Sequence, residues 1–177
     1  PQVQAQDAAV TTSMDDEKSK RVEGFLDAYI AGNFDPAQEI FEKDVTFFWA
    51  DLSKPMGIED WIEAVKAHHA GFADIAMPSR VVVTSDYEEY GSWTYVWTRW
   101  SGTNRATGET FSLPLHLMYQ WEGDRIAREF AYFDAERFRT TLEATLAQIN
   151  KPTDACPWDW AHGTWRVASD DFPNAIV

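Results

Sequence analysis

One cysteine, Cys156, stands in the 177-residue sequence, so no intramolecular disulfide can form. The fold must be held by its core rather than by covalent staples. Cationic side chains are scarce. Fifteen Lys and Arg face 29 Asp and Glu, giving a formal net charge of −14, which argues against nucleic acid and anionic membrane as partners, since both need positive patches. No run is long and apolar enough for a membrane-spanning helix, which needs about 20 residues. There is no Gly-rich phosphate loop, nucleophile elbow or Cys/His dyad, so nucleotide cofactors and covalent catalysis have no support. His68 and His69 are adjacent on a helical stretch and point roughly 100° apart. With His116 they make no spacing typical of a zinc site. No metal and no cofactor is therefore expected, and His162 reads as a surface residue.

Aromatic side chains are abundant, at 15% with nine Trp. They bury large areas and favour concave apolar pockets. The length fits one domain with a sizeable core. The stretch from Leu113 to Asp134 organises the rest. Two alternating apolar arms flank Glu122-Gly123-Asp124-Arg125, a hairpin signal. Leu113, Leu115, Leu117, Tyr119 and Trp121 share one face of the first arm, and Pro114, His116, Met118 and Gln120 the other. In the second arm Arg128, Phe130, Tyr132 and Asp134 alternate with Glu129, Ala131 and Phe133.

Residues 1–13 are polar and small and read as a flexible lead-in. Such a stretch fits what a cleaved signal peptide leaves, which favours export (periplasmic or secreted) over the cytoplasm, although a trimmed terminus would look alike. Ser13 is a plausible cap for a first helix carrying Val22, Phe25, Leu26, Tyr29 and Ile30 at helical spacing, stopped by Gly32. Asp35-Pro36-Ala37-Gln38 opens a short second helix. Val45 to Trp49 reads as a strand, and 51–57 as a loop. A third helix carries Ile58, Trp61, Ile62, Val65, His69 and Phe72 as its apolar stripe, with His68 beside it. Strands follow over Arg80–Ser85 and Ser92–Trp100, then a hairpin loop over 102–108, the central hairpin, and a last helix over Ala135–Ile149. Residues 151–177 carry Trp158, Trp160, Trp165 and Phe172, too many aromatics for a disordered tail, and are expected to pack on the domain or across a dimer. Helices segregated from an antiparallel sheet make the class α+β, with a strongly curved sheet wrapped as a cone-shaped barrel around the N-terminal helices.

That order resembles the nuclear transport factor 2-like superfamily and, within it, the SnoaL-like group. The likeness rests on Tyr29-Ile30-Ala31-Gly32-Asn33-Phe34-Asp35, on Val45–Trp49 with Met56-Gly57-Ile58-Glu59 and Trp61, and on the run from His116 to Asp134, with Trp121-Glu122-Gly123-Asp124-Arg125-Ile126 at the hairpin and Tyr132-Phe133-Asp134 at its end. It covers roughly Met14 to Leu146, within a domain of residues 14–150. The resemblance implies a cone-shaped cavity, and an activity drawn from cyclases, isomerases, dehydratases and epoxide hydrolases, or no activity in association domains. Two departures weaken an isomerase reading. Phe25 stands where ketosteroid isomerases carry an oxyanion-hole tyrosine, and Trp49, with Asp51 two residues on, stands where they carry the base.

Acid/base chemistry on this fold needs a carboxylate or imidazole tuned by burial, together with hydrogen-bond donors for developing charge. His116 and Asp134 form such a pair if both face inward, with Asp51 as a further catalytic candidate. Phe25, Tyr29, Trp49, Trp61, Trp97, Arg99, Phe130 and Tyr132 are candidate substrate-binding residues. Each has a plainer alternative: Asp134 as the cap of the last helix, His116 as a satisfied core histidine, the aromatics as ordinary core. The expected function is binding of a small apolar, cyclic molecule with cofactor-free isomerase, cyclase or dehydratase chemistry. The alternative is a non-catalytic module that dimerises through the outer sheet face.

Overall fold

The computed structural model describes residues 10–50 and 54–151. Asp51, Cys156, His162 and the aromatic residues beyond 151 lie outside that range. The first element is not a helix. Val10–Ser13 form a short edge strand, β1, which corrects the expectation of a flexible lead-in through Ser13. The cap of helix α1 (Glu17–Ile30) is accordingly Asp16 rather than Ser13. Its carboxylate accepts from the Ser19 amide at 2.9 Å, and Val22, Phe25, Leu26 and Tyr29 form the buried stripe. Gly32 ends the helix at a φ of +74°, which favours glycine.

Helix α2 (Ala37–Ile40) is a single turn that leads directly into strand β2 (Phe41–Trp49). Helix α3 spans Ile58–Gly71. Strands β3 (Phe72–Ala76) and β4 (Val81–Tyr87) follow, then β5 (Gly91–Asn104), β6 (Thr110–Glu122) and β7 (Arg125–Tyr132). Helix α4 covers Ala135–Ile149, capped by Asp134. A Cβ placed on Gly71 would stand 2.5 Å from Leu142 Cδ1, so glycine is what allows α3 to approach α4.

The sheet runs β1-β4-β5-β6-β7-β2, with β3 pairing β5 at the side. All pairings are antiparallel except β2 with β7, which is parallel. The fold is α+β as expected, and the curved sheet remains open rather than closing into a barrel. β1, β3 and the parallel pairing were not legible, because short strands and non-local partners leave little periodic signal. No helix among the described residues is long and apolar enough to cross a membrane.

A buried row of hydroxyls fastens α1 to this sheet. Trp121 Nε1 donates to Thr94 Oγ1 at 2.8 Å, Thr94 and Thr84 hydroxyls meet at 2.8 Å, Thr84 meets Ser19 at 2.9 Å, and Ser19 Oγ reaches Asp16 Oδ2 at 2.7 Å. An indole N–H can only donate and an ionised carboxylate can only accept. The two ends therefore orient every hydroxyl between them, each donating toward Asp16.

The β6–β7 hairpin decides which side chains face inward. Glu122 pairs with Arg125, leaving Gly123-Asp124 as a two-residue turn, with Gly123 at a φ of +62°. Glycine at the first central position suits a type II′ turn. Trp121 pairs with Ile126, but Gln120 pairs with Arg128, so Ala127 is an extra residue. That bulge reverses the alternation. Ile126 points into the core, and beyond the bulge the inward residues are Glu129 and Ala131 instead of Arg128, Phe130 and Tyr132.

Candidate active site

The inner face of the sheet, α1, α3 and α4 enclose an apolar cavity. Its walls include Phe25 and Tyr29 from α1, Trp61, Val65 and His68 from α3, Trp49 from β2, Trp100 from β5, Leu113, Leu115, Leu117 and Tyr119 from β6, and Glu129, Ala131 and Phe133 at β7. Its volume is about 70 Å³, room for several waters or a small ligand.

Among the described residues Glu129 is the one carboxylate on these walls, and it is 3% exposed. Trp49 Nε1 donates to its Oε1 at 2.8 Å. The Tyr119 hydroxyl and the Trp61 indole also lie near enough to the carboxyl to favour its charged form. Burial disfavours the charged form, the three donors favour it, and burial wins: the Glu129 pKa is pushed up to about 7.

A second polar group lies on the cavity wall. Trp100 Nε1 donates to the Tyr29 hydroxyl oxygen at 2.9 Å, and that hydroxyl meets His68 Nδ1 at 3.0 Å. Burial, with His69 adding to it, pushes the His68 pKa down to about 3, so the imidazole is neutral. Burial likewise holds the Tyr29 and Tyr119 phenols protonated. Trp49 joins the two groups, since its ring lies 5.6 Å from that of His68 while its N–H is on Glu129. Among the described residues no three His, Cys, Asp or Glu side chains gather in a way that could hold a metal.

Of the candidate substrate-binding residues, Phe25, Tyr29, Trp49 and Trp61 line the cavity. Trp97, Arg99, Phe130 and Tyr132 do not, because they occupy the outer face with His116. The register pairs His116 with Trp97 and with Tyr132, and Arg99 with Pro114. The His116 ring stacks 4.9 Å from Trp97 and 6.1 Å from Tyr132, with Nδ1 3.0 Å from the Val96 carbonyl oxygen. Asp134 accepts from the Arg137 amide at 3.0 Å as the α4 cap. The structure therefore does not bring His116 and Asp134 together in the cavity. In α3 the phase also differs from expectation: the inward stripe is Trp61, Val65, His68 and Gly71, and His69 packs instead against Tyr29 and Phe34. Trp61, Val65, His68 and Phe72 also fit a 3.6-residue period, which was the available signal for His68. Glu129 carried no such signal, since a charged residue in an alternating strand reads as solvent-facing unless the bulge is known.

Residues 22–129 match the family model described as a SnoaL-like domain. No curated protein matches the chain. Solved structures with the same fold include IdmH from Streptomyces antibioticus, a proposed polyketide cyclase, at 17% identity and TM-score 0.55, covering 75% of this chain and 99% of that one. AclR from Streptomyces galilaeus, a proposed hydroxylase, has 12% identity and TM-score 0.59, covering 75% and 98%. A proposed polyketide cyclase from Xanthomonas campestris pv. campestris has 14% identity and TM-score 0.57, covering 71% and 96%.

Proposed function

The chain belongs to the SnoaL-like domain family, and from that premise we propose that it binds a small, mainly apolar molecule in this cavity and moves a proton on it through Glu129, without a cofactor, in isomerase-, cyclase- or dehydratase-type chemistry. The observation that carries the reading is a buried carboxyl with a pKa of about 7 on the wall of an apolar cavity. A group with a pKa near the operating pH can take a proton and return it with little cost in either direction. Ionised Glu129 removes a proton from carbon next to a carbonyl. The electron pair of that C–H bond moves toward the carbonyl oxygen, leaving an enolate and a neutral Glu129. Glu129 then returns the proton at another carbon or to a leaving oxygen. Trp49, Trp61 and Tyr119 hold the ionised carboxylate in place between the steps. The proposed cyclases among the structural neighbours agree with this class of chemistry.

The test is a screen of cyclic ketones, epoxides and polyketide-like compounds, followed by variants on any compound turned over. Glu129→Gln is expected to lower kcat about 100-fold or more, with Asp134→Asn and His116→Ala close to wild type. Full turnover by Glu129→Gln would overturn the reading.

A second reading has its own observation. The outer sheet face leaves Trp97 47% and Tyr132 43% exposed beside Val81, and apolar patches of this kind mark interaction surfaces. On this reading the chain is a ligand-binding or association module that forms a homodimer through that face. A monomer by light scattering at working concentration would count against it.

A further inference from the structure

We infer that His68 is held as a single neutral tautomer with its proton on Nε2, and that this N–H is the donor for an oxygen atom of the ligand, most simply a carbonyl, with Trp100 as a positioning residue that acts through Tyr29. The tautomer follows from the hydrogen-bond inventory. The Trp100 indole N–H donates only, so the Tyr29 oxygen is an acceptor in that contact at 2.9 Å. The Tyr29 hydroxyl has one proton to place, and His68 Nδ1 at 3.0 Å is its other partner. Were Nδ1 protonated, it would donate to Tyr29 and leave the phenol proton without a protein acceptor in a buried site, at a cost of about 1–3 kcal/mol. A bare Nδ1 accepting from Tyr29 satisfies all three groups. The ring proton then sits on Nε2.

Among the described residues Nε2 has no hydrogen-bond partner, and it is not one of the buried side-chain atoms left unpaired there, which are His69 Nε2, Arg80 Nη1 and Ser92 Oγ. It therefore remains within reach from the cavity that His68 lines. The ring is fixed by Trp49 at 5.6 Å on one side and by the edge contact with Phe138 at 4.8 Å. The charged or titratable groups facing it are Tyr29 on α1, its neighbour His69 on α3, and Glu129 on β7 through Trp49. Among the described residues none is a carboxylate in contact with the imidazole, so none there stabilises a protonated ring. The site thus pairs a proton acceptor with a neutral donor, two groups whose environments drive their pKa values apart. That combination fits a neutral carbonyl compound with an acidic neighbouring C–H.

The tautomer stands independently of the proposed function, and only the ligand oxygen rests on it. In the ¹⁵N-labelled protein, long-range ¹H–¹⁵N correlation should show His68 with a bare Nδ1 and a protonated Nε2, unchanged from about pH 8 to about pH 5, where an ordinary histidine titrates. A protonated Nδ1, or titration in that range, would overturn the inference. Tyr29→Phe keeps the ring and removes both hydrogen bonds, and Trp100→Phe keeps an aromatic ring, though a smaller one, and removes the indole donor. Each should give a tautomer mixture, whereas a merely structural role would lower the melting temperature and leave the tautomer unchanged. If either variant fails to fold, the wild-type spectrum alone decides. Added cyclopentanone should move the Nε2–H proton downfield in both wild type and Glu129→Gln. No movement would overturn the donor role, while turnover by Glu129→Gln bears separately on the base.

Discussion

The two faces of the β5–β6–β7 sheet are both rich in aromatics, with His116 on the outer face and His68 of α3 packed toward the inner one. On the outer face His116 of β6 stacks with Trp97 and Tyr132, and Asp134, just past the end of β7, caps α4. On the inner face His68 and Glu129 look into the cavity, each burdened by burial and each with its own donors. The residue types are alike and the chemistry differs. On the inner side it is exclusion of water that moves the pKa values of His68 and Glu129. Outside, the rings lie against solvent, while inside they replace it.

Several substitutions set the two faces against each other. Phe47 is fully buried, stacked 5.2 Å from Trp61 and edge-on to Phe41 at 4.9 Å. Phe47→Ala should cost about 3–5 kcal/mol in urea unfolding. Trp97→Ala, on the outer face, should cost well under half of that if the face is open to water. Equal losses would mean that the outer face is covered in solution.

The pH dependence comes next in size. The Glu129 pKa rises from 4.5 to about 7 on folding, so the native state holds a proton that the unfolded chain has released. Its favourable contribution is therefore fully present below about pH 4.5 and is lost as pH rises through about 7. The expected descent is about 2 kcal/mol, less than the full separation would give because the cavity admits water. Glu129→Gln should flatten it, as read from chemical unfolding at a series of pH values. Substitution of His116 should leave the descent in place.

The smallest effect expected is at Asp134. Asp134→Ala removes the α4 cap and should cost about 1 kcal/mol, while Asp134→Asn, which can still accept from the Arg137 amide, should cost less. Thermal melts of both variants separate a capping role from any other.

Much of this was legible in the sequence and some of it was not, for physical reasons. Helix starts and stops are local chemistry, so α1, α3 and α4 could be read from stripes, Gly32 and the Asp134 cap. The two faces of β6 were legible from Leu113 to Trp121 alternating over nine residues, but which of them points inward was not. The site itself depends on a single extra residue, Ala127, that inverts the face of everything after it. Without the bulge, Phe130 and Tyr132 would point inward as expected, and Glu129 would meet solvent. His68 and His69 posed the same kind of choice on a helix, where two stripes one residue apart both fit the period. Element type was decided by many residues together, whereas site identity turned on one.

The parallel pairing of β2 with β7 has a consequence for how the protein comes into being. It joins Phe47 to Glu129 and Trp49 to Ala131 across about 80 residues of chain, and it carries the Trp49–Glu129 hydrogen bond with it. Helices and the β5–β6–β7 meander rest on nearer neighbours in sequence, and such contacts close early because short loops sacrifice less entropy. The carboxyl thus acquires its indole partner only when the two halves of the chain meet, among the last events of folding. Until that pairing forms, position 129 is an ordinary glutamate, and the buried carboxyl with its raised pKa belongs to the finished fold.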